Sequence, residues 1–163
     1  MKQEEAIEKF RTFVAEEGDT LLRLLLWAEQ SVAQTILTRL RGLGYDDVSL
    51  SELRLLQQLC VSGIRMTELA EKNKLSKQAI SQLIDSLEKK GFVMRSPDPE
   101  DRRAKVITYT ERGYQLIADI IDTTLVVERE VSELLGSEVY QTLKESLVTV
   151  NQELTDSLER MSA

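Results

Sequence analysis

The stretch after Gly91 constrains this chain more than any other. Up to that glycine the apolar residues recur at helical spacing, and beyond it the period changes. Phe92-Val93-Met94-Arg95 and Lys105-Val106-Ile107-Thr108-Tyr109 are short β-prone runs, the second alternating apolar and polar. Between them lies Ser-Pro-Asp-Pro-Glu-Asp-Arg-Arg-Ala, which holds both prolines of the chain, Pro97 and Pro99. Proline neither extends a helix nor sits in a central strand, so this segment reads as the projecting loop of a β-hairpin.

What precedes the hairpin is helical. Thr67 to Asn73 reads as a short helix. Ser76 caps a second one, which runs to about Lys90 and stops at Gly91. Two short helices around a tight turn, a hairpin with a cationic tip and the start of another helix make the order of a winged helix-turn-helix over residues 66–112. That order implies a function without a reaction, the sequence-specific binding of duplex DNA.

Both ends of the chain are patterned as amphipathic helices. Residues 2–17 place Ala6, Ile7, Phe10, Phe13 and Val14 at helical spacing, and Gly18 and Asp19 offer a stop and a new N-cap. Residues 20–41 are apolar on most sides early and amphipathic later, a pattern expected of a helix buried between two other elements. Gly42, Gly44, Asp46 and Asp47 form a loop. Ser49 and Glu52 then stand at capping-box spacing at the head of a helix over 49–60. Thr110 caps a helix from about 111 to 134. Gly136 and Ser137 break it, and Ser137 caps a last helix. That helix carries Val139, Leu143, Leu147, Val150, Leu154 and Leu158, a seam that needs a partner helix. The expected fold is mainly α with a small β-hairpin wing (α+β). Residues 46–112 form the DNA-binding lobe, and the dimerisation helices lie at 1–45 and 113–163.

Charge supports this division. The net charge of −7 argues against a nucleic-acid binder until its distribution is seen. Residues 61–112 hold 11 basic and 8 acidic residues, net +3, against a net of −10 for the remainder. Phosphate binding needs a local basic surface, and an acidic remainder discourages indiscriminate sticking. No membrane span is expected, because the longest apolar run is Leu24–Ala28, nor is a signal peptide, so the expected location is the cytoplasm. The single cysteine, Cys60, excludes an intrachain disulfide. It ends an apolar stretch with Leu53, Leu55, Leu56 and Leu59, and reads as a buried, inert thiol. An enzyme is disfavoured. The chain has no histidine, no cysteine cluster for a metal and no phosphate-binding glycine loop, and no cofactor is expected.

Residues of about 30–125 resemble the MarR family of bacterial transcription regulators. The resemblance is carried by MTELAEKNKLSKQAISQLIDSLEKKGFVMRS and then by PDPEDRRAKVITYTERG. The second piece is similar to the family's wing signature through Asp101, Arg103, Tyr109, Thr110 and Gly113. Tyr109 stands where the family usually has Leu. Lys74 stands where it usually has Gly, so Lys74 or its neighbour Asn73 must adopt a positive φ.

These patterns nominate site residues. On the helix after Ser76, the apolar Ala79, Ile80, Leu83 and Leu87 would face the domain, and Lys77, Gln78, Ser81 and Gln82 would lie on the other side. Gln suits adenine and Lys suits guanine acceptors in the major groove. Ser76 and Thr67 suit phosphate contact at helix N-termini. Arg102, Arg103 and Lys105 are the cations of the wing. The resemblance implies that Arg103 enters the minor groove with Asp101 as its orienting partner. It also implies a small aromatic or phenolic effector between the dimerisation helices and the DNA-binding lobes. Arg23, Trp27 and Tyr114 are the candidates to meet it, although each also reads as ordinary core or surface. A homodimer would read two half-sites about one turn, ~34 Å, apart. The competing reading is a winged helix that binds another protein and no longer reads DNA.

Overall fold

Helices joined by short turns make up most of the described backbone, with one small sheet. The computed structural model describes residues 3–16, 18–98, 101 and 104–162. The chain divides into two units, Met1–Arg54 and Leu55–Ala163, with the boundary inside the third helix.

The first unit contains α1 (Gln3–Glu16), α2 (Leu21–Gly42) and most of α3 (Leu50–Leu56). Thr20, rather than Asp19, caps α2, its hydroxyl accepting the Arg23 N–H at 3.4 Å. In α2 the buried residues are Ala33, Ile36, Leu37 and Leu40, one stripe along the second half. Leu21, Leu22, Leu24, Leu26 and Trp27 in the first half are exposed, so the expected burial of that half is not found within the chain. A helix that is apolar all round needs cover all round, and a single chain covers only the stripe. The capping box at the head of α3 forms as expected. The Ser49 N–H donates to Glu52 Oε2 at 2.7 Å and the Glu52 N–H to Ser49 Oγ at 3.3 Å.

The second unit holds β1 (Ile64–Arg65), α4 (Met66–Asn73), α5 (Lys77–Lys89), β2 (Val93–Pro97), β3 (Lys105–Tyr109), α6 (Glu111–Leu135) and α7 (Ser137–Ser162). The sheet is antiparallel with β3 in the centre, order β1-β3-β2. Val93 lies opposite Tyr109 and Pro97 opposite Lys105. Pro97 is therefore the last residue of an edge strand and not part of the loop, a position where its missing N–H takes nothing from the sheet. Strand β1 is two residues long and was not expected from the sequence. It places Ile64 opposite Ile107 and Arg65 opposite Val106.

Forming β1 shortens the preceding helix. α3 ends at Leu56 instead of continuing to residue 60, because the chain turns to reach the sheet. The Gln58 N–H donates to the Leu55 carbonyl at 3.0 Å and the Leu59 N–H to the Leu56 carbonyl at 3.2 Å. Gly63 completes the approach at φ +88, where a Cβ would come within 2.6 Å of Val106 Cγ1.

Packing follows the helical period. Ile80, Ile84 and Leu87 of α5 are fully buried, together with Leu69, Phe92, Ile107 and Leu116. On α7 the seam of Val139, Leu143, Val150, Leu154 and Leu158 stays exposed. Ser137 is already the first residue of α7, and the Tyr140 N–H donates to the Gly136 carbonyl at 3.0 Å, so Ser137 lies inside the helix it was expected to cap.

The wing and α6 meet at one junction. Thr110 caps α6 by accepting the Gly113 N–H at 3.0 Å, and its hydroxyl donates to the Gly91 carbonyl at 2.5 Å. The Thr110 N–H donates to the Phe92 carbonyl at 3.1 Å. A Cβ on Gly113 would lie 1.9 Å from that same carbonyl oxygen, so the Thr-x-x-Gly spacing is set by contact. Lys74 takes the positive φ of the turn between α4 and α5, at φ 50 and ψ 35. Asn73 stays helical and donates its Nδ2–H to the Leu69 carbonyl at 2.8 Å.

Two stability changes follow, both measurable by urea denaturation. Lys74→Gly removes the left-handed strain and is expected to stabilise the fold by about 0.5–1 kcal/mol, net of the added freedom of the unfolded chain. Gly113→Ala forces a methyl group into the Phe92 carbonyl and is expected to destabilise by about 3 kcal/mol or more.

Candidate nucleic-acid interface

Helix α5 has two faces of opposite character. Its apolar stripe is buried, and Lys77, Gln78 and Gln82 are exposed. Gln78 and Gln82 are four residues apart, one turn along the same side. Ser81, Ala79 and Leu83 are half-buried at the flanks, so the latter two face the core less completely than expected. Ser76 caps the helix, its Oγ accepting the Ala79 N–H at 3.1 Å. The hydroxyl hydrogen is still able to donate outward. Thr67 is exposed in the first turn of α4, where Arg65 provides no side-chain cap to the amide groups.

The wing presents Lys105 at the start of β3, exposed and opposite Pro97. Arg102 and Arg103 lie outside the described residues, as do Pro99 and Glu100. Asp101 is exposed and helps form the loop turn. Its N–H donates to Asp98 Oδ1 at 3.2 Å, and its carbonyl accepts the Ala104 N–H at 2.9 Å. The expected pairing of Asp101 with Arg103 falls outside the described residues.

Asp98 is the residue the sequence reading missed. It is buried at 4% exposure, its N–H donates to the Ala104 carbonyl at 3.1 Å, and its carboxylate accepts the Arg65 Nε–H at 2.5 Å. A buried carboxylate persists only with partners, and these partners close the loop and tie it to β1. The available signal was an aspartate between two prolines, a residue that habitually bonds backbone groups just ahead of it. Arg65 gave no signal, since it lies 33 residues away.

Arg95 was also missed. It reaches from β2 to α5, with Nη2 bonded to Asp85 at 2.5 Å and Nη1 to Glu88. Its backbone N–H donates to Glu88 Oε1 at 3.1 Å. These contacts fasten the wing strand to α5, so this cation acts inside the lobe. Partial exposure of the carboxylates limits the ion pairs to about 1 kcal/mol.

Behind the wing, Tyr109 donates its hydroxyl to the Leu56 carbonyl at 2.7 Å. Its ring stacks obliquely on Tyr114 at 5.5 Å, and the Tyr114 hydroxyl donates to the Val61 carbonyl at 3.3 Å. Burial pushes the Tyr109 phenol up to about 12, helped by the nearby Cys60 and Tyr114. The turn from Leu56 to Val61 and one face of α6 line an open apolar groove of about 450 Å³. Leu56, Leu59, Val61, Ile117, Ile121 and Leu125 line it, with Gln57, Thr124 and Glu128 as polar lining. Tyr114 is not among the lining residues. Arg23 and Trp27 belong to the first unit and meet each other, the guanidinium 4.2 Å from the indole centroid and bonded to the Gly18 carbonyl at 2.6 Å. Cys60 is exposed, against the expectation of burial, because α3 ends before it and its residue leaves the helical stripe.

Among the described residues no group of three or more His, Cys, Asp or Glu is placed to hold a metal ion. No described helix is long and apolar enough to cross a membrane.

Comparison with known proteins gives a consistent result. The sequence model of the MarR family matches residues 46–104. The HTH-type transcriptional regulator YfiV of Bacillus subtilis is 30% identical over 112 residues, 68% of this chain and 70% of that protein. The HTH-type transcriptional regulator PrsX of Escherichia coli is 30% identical over 97 residues, 60% of this chain and 56% of that protein. Among solved structures, a mutant of MarR from E. coli complexed with operator DNA superposes with a TM-score of 0.69 at 24% identity, covering 85% of this chain and 96% of that one. The transcriptional repressor CouR, bound to a 23-mer DNA duplex, gives 0.67 at 24% identity and the same coverages of 85% and 96%. At such identities the structural likeness establishes the fold.

One stability outcome tests the Tyr109 contact. Tyr109→Phe is expected to destabilise by about 1 kcal/mol at neutral pH. A phenol raised by folding contributes fully below its unfolded value, about 10, and loses that contribution as pH climbs toward 12. The gap between wild type and variant in urea denaturation should therefore narrow above pH 10.

Proposed function

This chain belongs to the MarR family of transcriptional regulators, and on that footing we propose that it binds duplex DNA sequence-specifically as a homodimeric repressor. The observation that carries the reading is the polar stripe of α5. Lys77, Gln78 and Gln82 face outward on a helix whose opposite side is locked into the core by Ile80, Ile84 and Leu87. A helix held on one side and polar on the other fits the major groove, with its first turns at the base edges. Ser76 and Thr67 would bind phosphates, and Ser81 would contact the edge of the footprint. Arg102, Arg103 and Lys105 would reach the adjacent minor groove, with Asp101 orienting Arg103.

A homodimer is supported by the apolar residues that the single chain leaves exposed. They include Phe10 and Phe13 of α1, Leu22 and Leu26 of α2, and Leu154 and Leu158 of α7. Monomers rarely expose so much apolar surface. We assign residues 1–45 and 113–163 to dimerisation and 46–112 to DNA contact. Control by a small aromatic or phenolic effector, with Arg23, Trp27 and Tyr114 as candidate contacts, completes the reading. Such an effector releases DNA only by binding one conformation better than another.

Selection from random duplexes is expected to enrich a near-palindrome with half-site centres about one helical turn apart. Absence of any enriched duplex would favour a winged helix that binds protein instead. Arg103→Ala should weaken binding to the selected operator more than tenfold and leave the melting temperature near wild type. Lys77→Ala or Lys105→Ala, if directed to phosphate, removes one contact from each protomer and should lower the slope of log K against log salt by about 1.8 per dimer, ~0.9 for each phosphate. Sedimentation at micromolar concentration should show a dimer.

A further inference from the structure

Asp98 puts a negative charge at the neck of the wing, on a lobe read above as meeting a polyanion. It follows Pro97, the last residue of β2, and its N–H donates to the Ala104 carbonyl at 3.1 Å, one step beyond the pairing of Pro97 with Lys105. Its carboxylate reaches in two directions. Oδ1 accepts the Asp101 N–H at 3.2 Å, inside the loop, and Oδ2 accepts the Arg65 Nε–H at 2.5 Å. Arg65 stands on β1, on the far side of β3 from β2, so the pair spans the sheet from one edge to the other. Arg65 is also the residue from which α4 starts, with Thr67 in the first turn. One carboxylate thus links the loop, both edges of the sheet and the head of a helix. The Asp98 side chain is 5% exposed against 44% for Arg65, so neutralising the aspartate strands no charge in the interior.

Resting on the regulator reading above, we propose that Arg65 and Asp98 are a positioning pair. Together they set where the wing loop stands relative to α4 and α5, and so whether the loop and α5 reach one duplex at once. Neither residue acts by attracting DNA. A carboxylate repels a polyanion, and Arg65 directs its Nε–H to that carboxylate. The role of the pair is geometric. Contacts in two adjacent grooves add fully only when their separation is already held, because a loop free to swing must be ordered at each binding event. The bonds suit this role. One oxygen of Asp98 is engaged with the loop and the other with β1, so a shift of the loop against β1 breaks a charge-assisted contact. The sign of the effect is opposite to the one that charge gives. By charge alone, neutralising Asp98 raises affinity for DNA; by position, it lowers it.

The test uses the full chain, the operator obtained by random selection, and a temperature well below the melting point of every variant. Asp98→Asn keeps an oxygen for the Asp101 N–H and removes the ion pair. It is expected to raise the operator dissociation constant about fivefold or more. Arg65→Lys keeps the charge and removes the Nε–H, and is expected to weaken binding about threefold or more. It carries the test if Asp98→Asn does not fold. Combined with Arg103→Ala, which takes away the wing contact, Asp98→Asn should cost no more than about twofold further; combined with Gln78→Ala on α5, it should cost its full factor. Unchanged or tighter operator binding by Asp98→Asn overturns the proposal, and so does unchanged binding by Arg65→Lys. Equal losses in the Arg103→Ala and Gln78→Ala backgrounds overturn it too, because a pair that merely stabilised the lobe would weaken both alike. Failure of the wild type to bind any selected duplex shows before a variant is made. It removes the regulator reading itself, and the role of the pair with it.

Discussion

The carbonyl of Phe92 is the point on which the winged lobe depends. It accepts the Thr110 N–H at 3.1 Å and stands where the Cβ of any residue but glycine at position 113 would have to be. Three elements converge there: α5 has just ended at Lys89, β2 is about to begin, and α6 starts after Thr110. Because the contact is backbone to backbone, no side-chain rotation can relieve it. The angle at which the hairpin leaves the helices is fixed with it. The remaining fasteners refine that angle. Arg95 joins β2 to α5, and Arg65 joins β1 to the loop through Asp98.

These fasteners change how the basic charge of residues 61–112 is to be counted. Composition gives 11 lysines and arginines there, but Arg65 and Arg95 are engaged with carboxylates of their own lobe. What is offered outward on α5 and β3 is a smaller set, Lys77 and Lys105 foremost, with two glutamines between. A surface of that kind relies on position more than on charge density. This accords with a lobe whose framework is held by buried contacts such as Ile80, Ile84 and Leu87.

Local signals in the sequence were the readable ones. Capping boxes and caps act over three residues, so Ser49 with Glu52, Ser76 with Ala79 and Thr110 with Gly113 could all be read directly. The hairpin was readable because proline and alternation are local too. What escaped was set by distant partners. Strand β1 is two residues long and exists because β3 offers it an edge, and that demand cuts α3 short and carries Cys60 out to the surface. Arg65, Arg95 and Asp98 look like ordinary surface charges until the fold brings their partners near. The early half of α2 reads as buried from its all-round apolar pattern, yet Leu21, Leu22, Leu24, Leu26 and Trp27 are exposed, because the pattern of one chain does not state which surface supplies the cover. Of the candidate site, Lys77, Gln78, Gln82 and Lys105 are exposed on the second unit and Ser81 is half-buried, and the expected effector contacts are divided between Arg23 with Trp27 in the first unit and Tyr114 in the second.

Lys74 carries a last consequence. Its backbone is left-handed, a state that glycine enters without penalty and lysine enters only under constraint. The turn between α4 and α5 thus holds a side chain ending in an ammonium group where an unencumbered backbone would be easier to fold. Holding a lysine in this conformation costs local ease of folding and places a cation at the turn between the two helices. Engineering this turn for robustness alone would move the molecule toward a sturdier scaffold and a weaker attraction for polyanions.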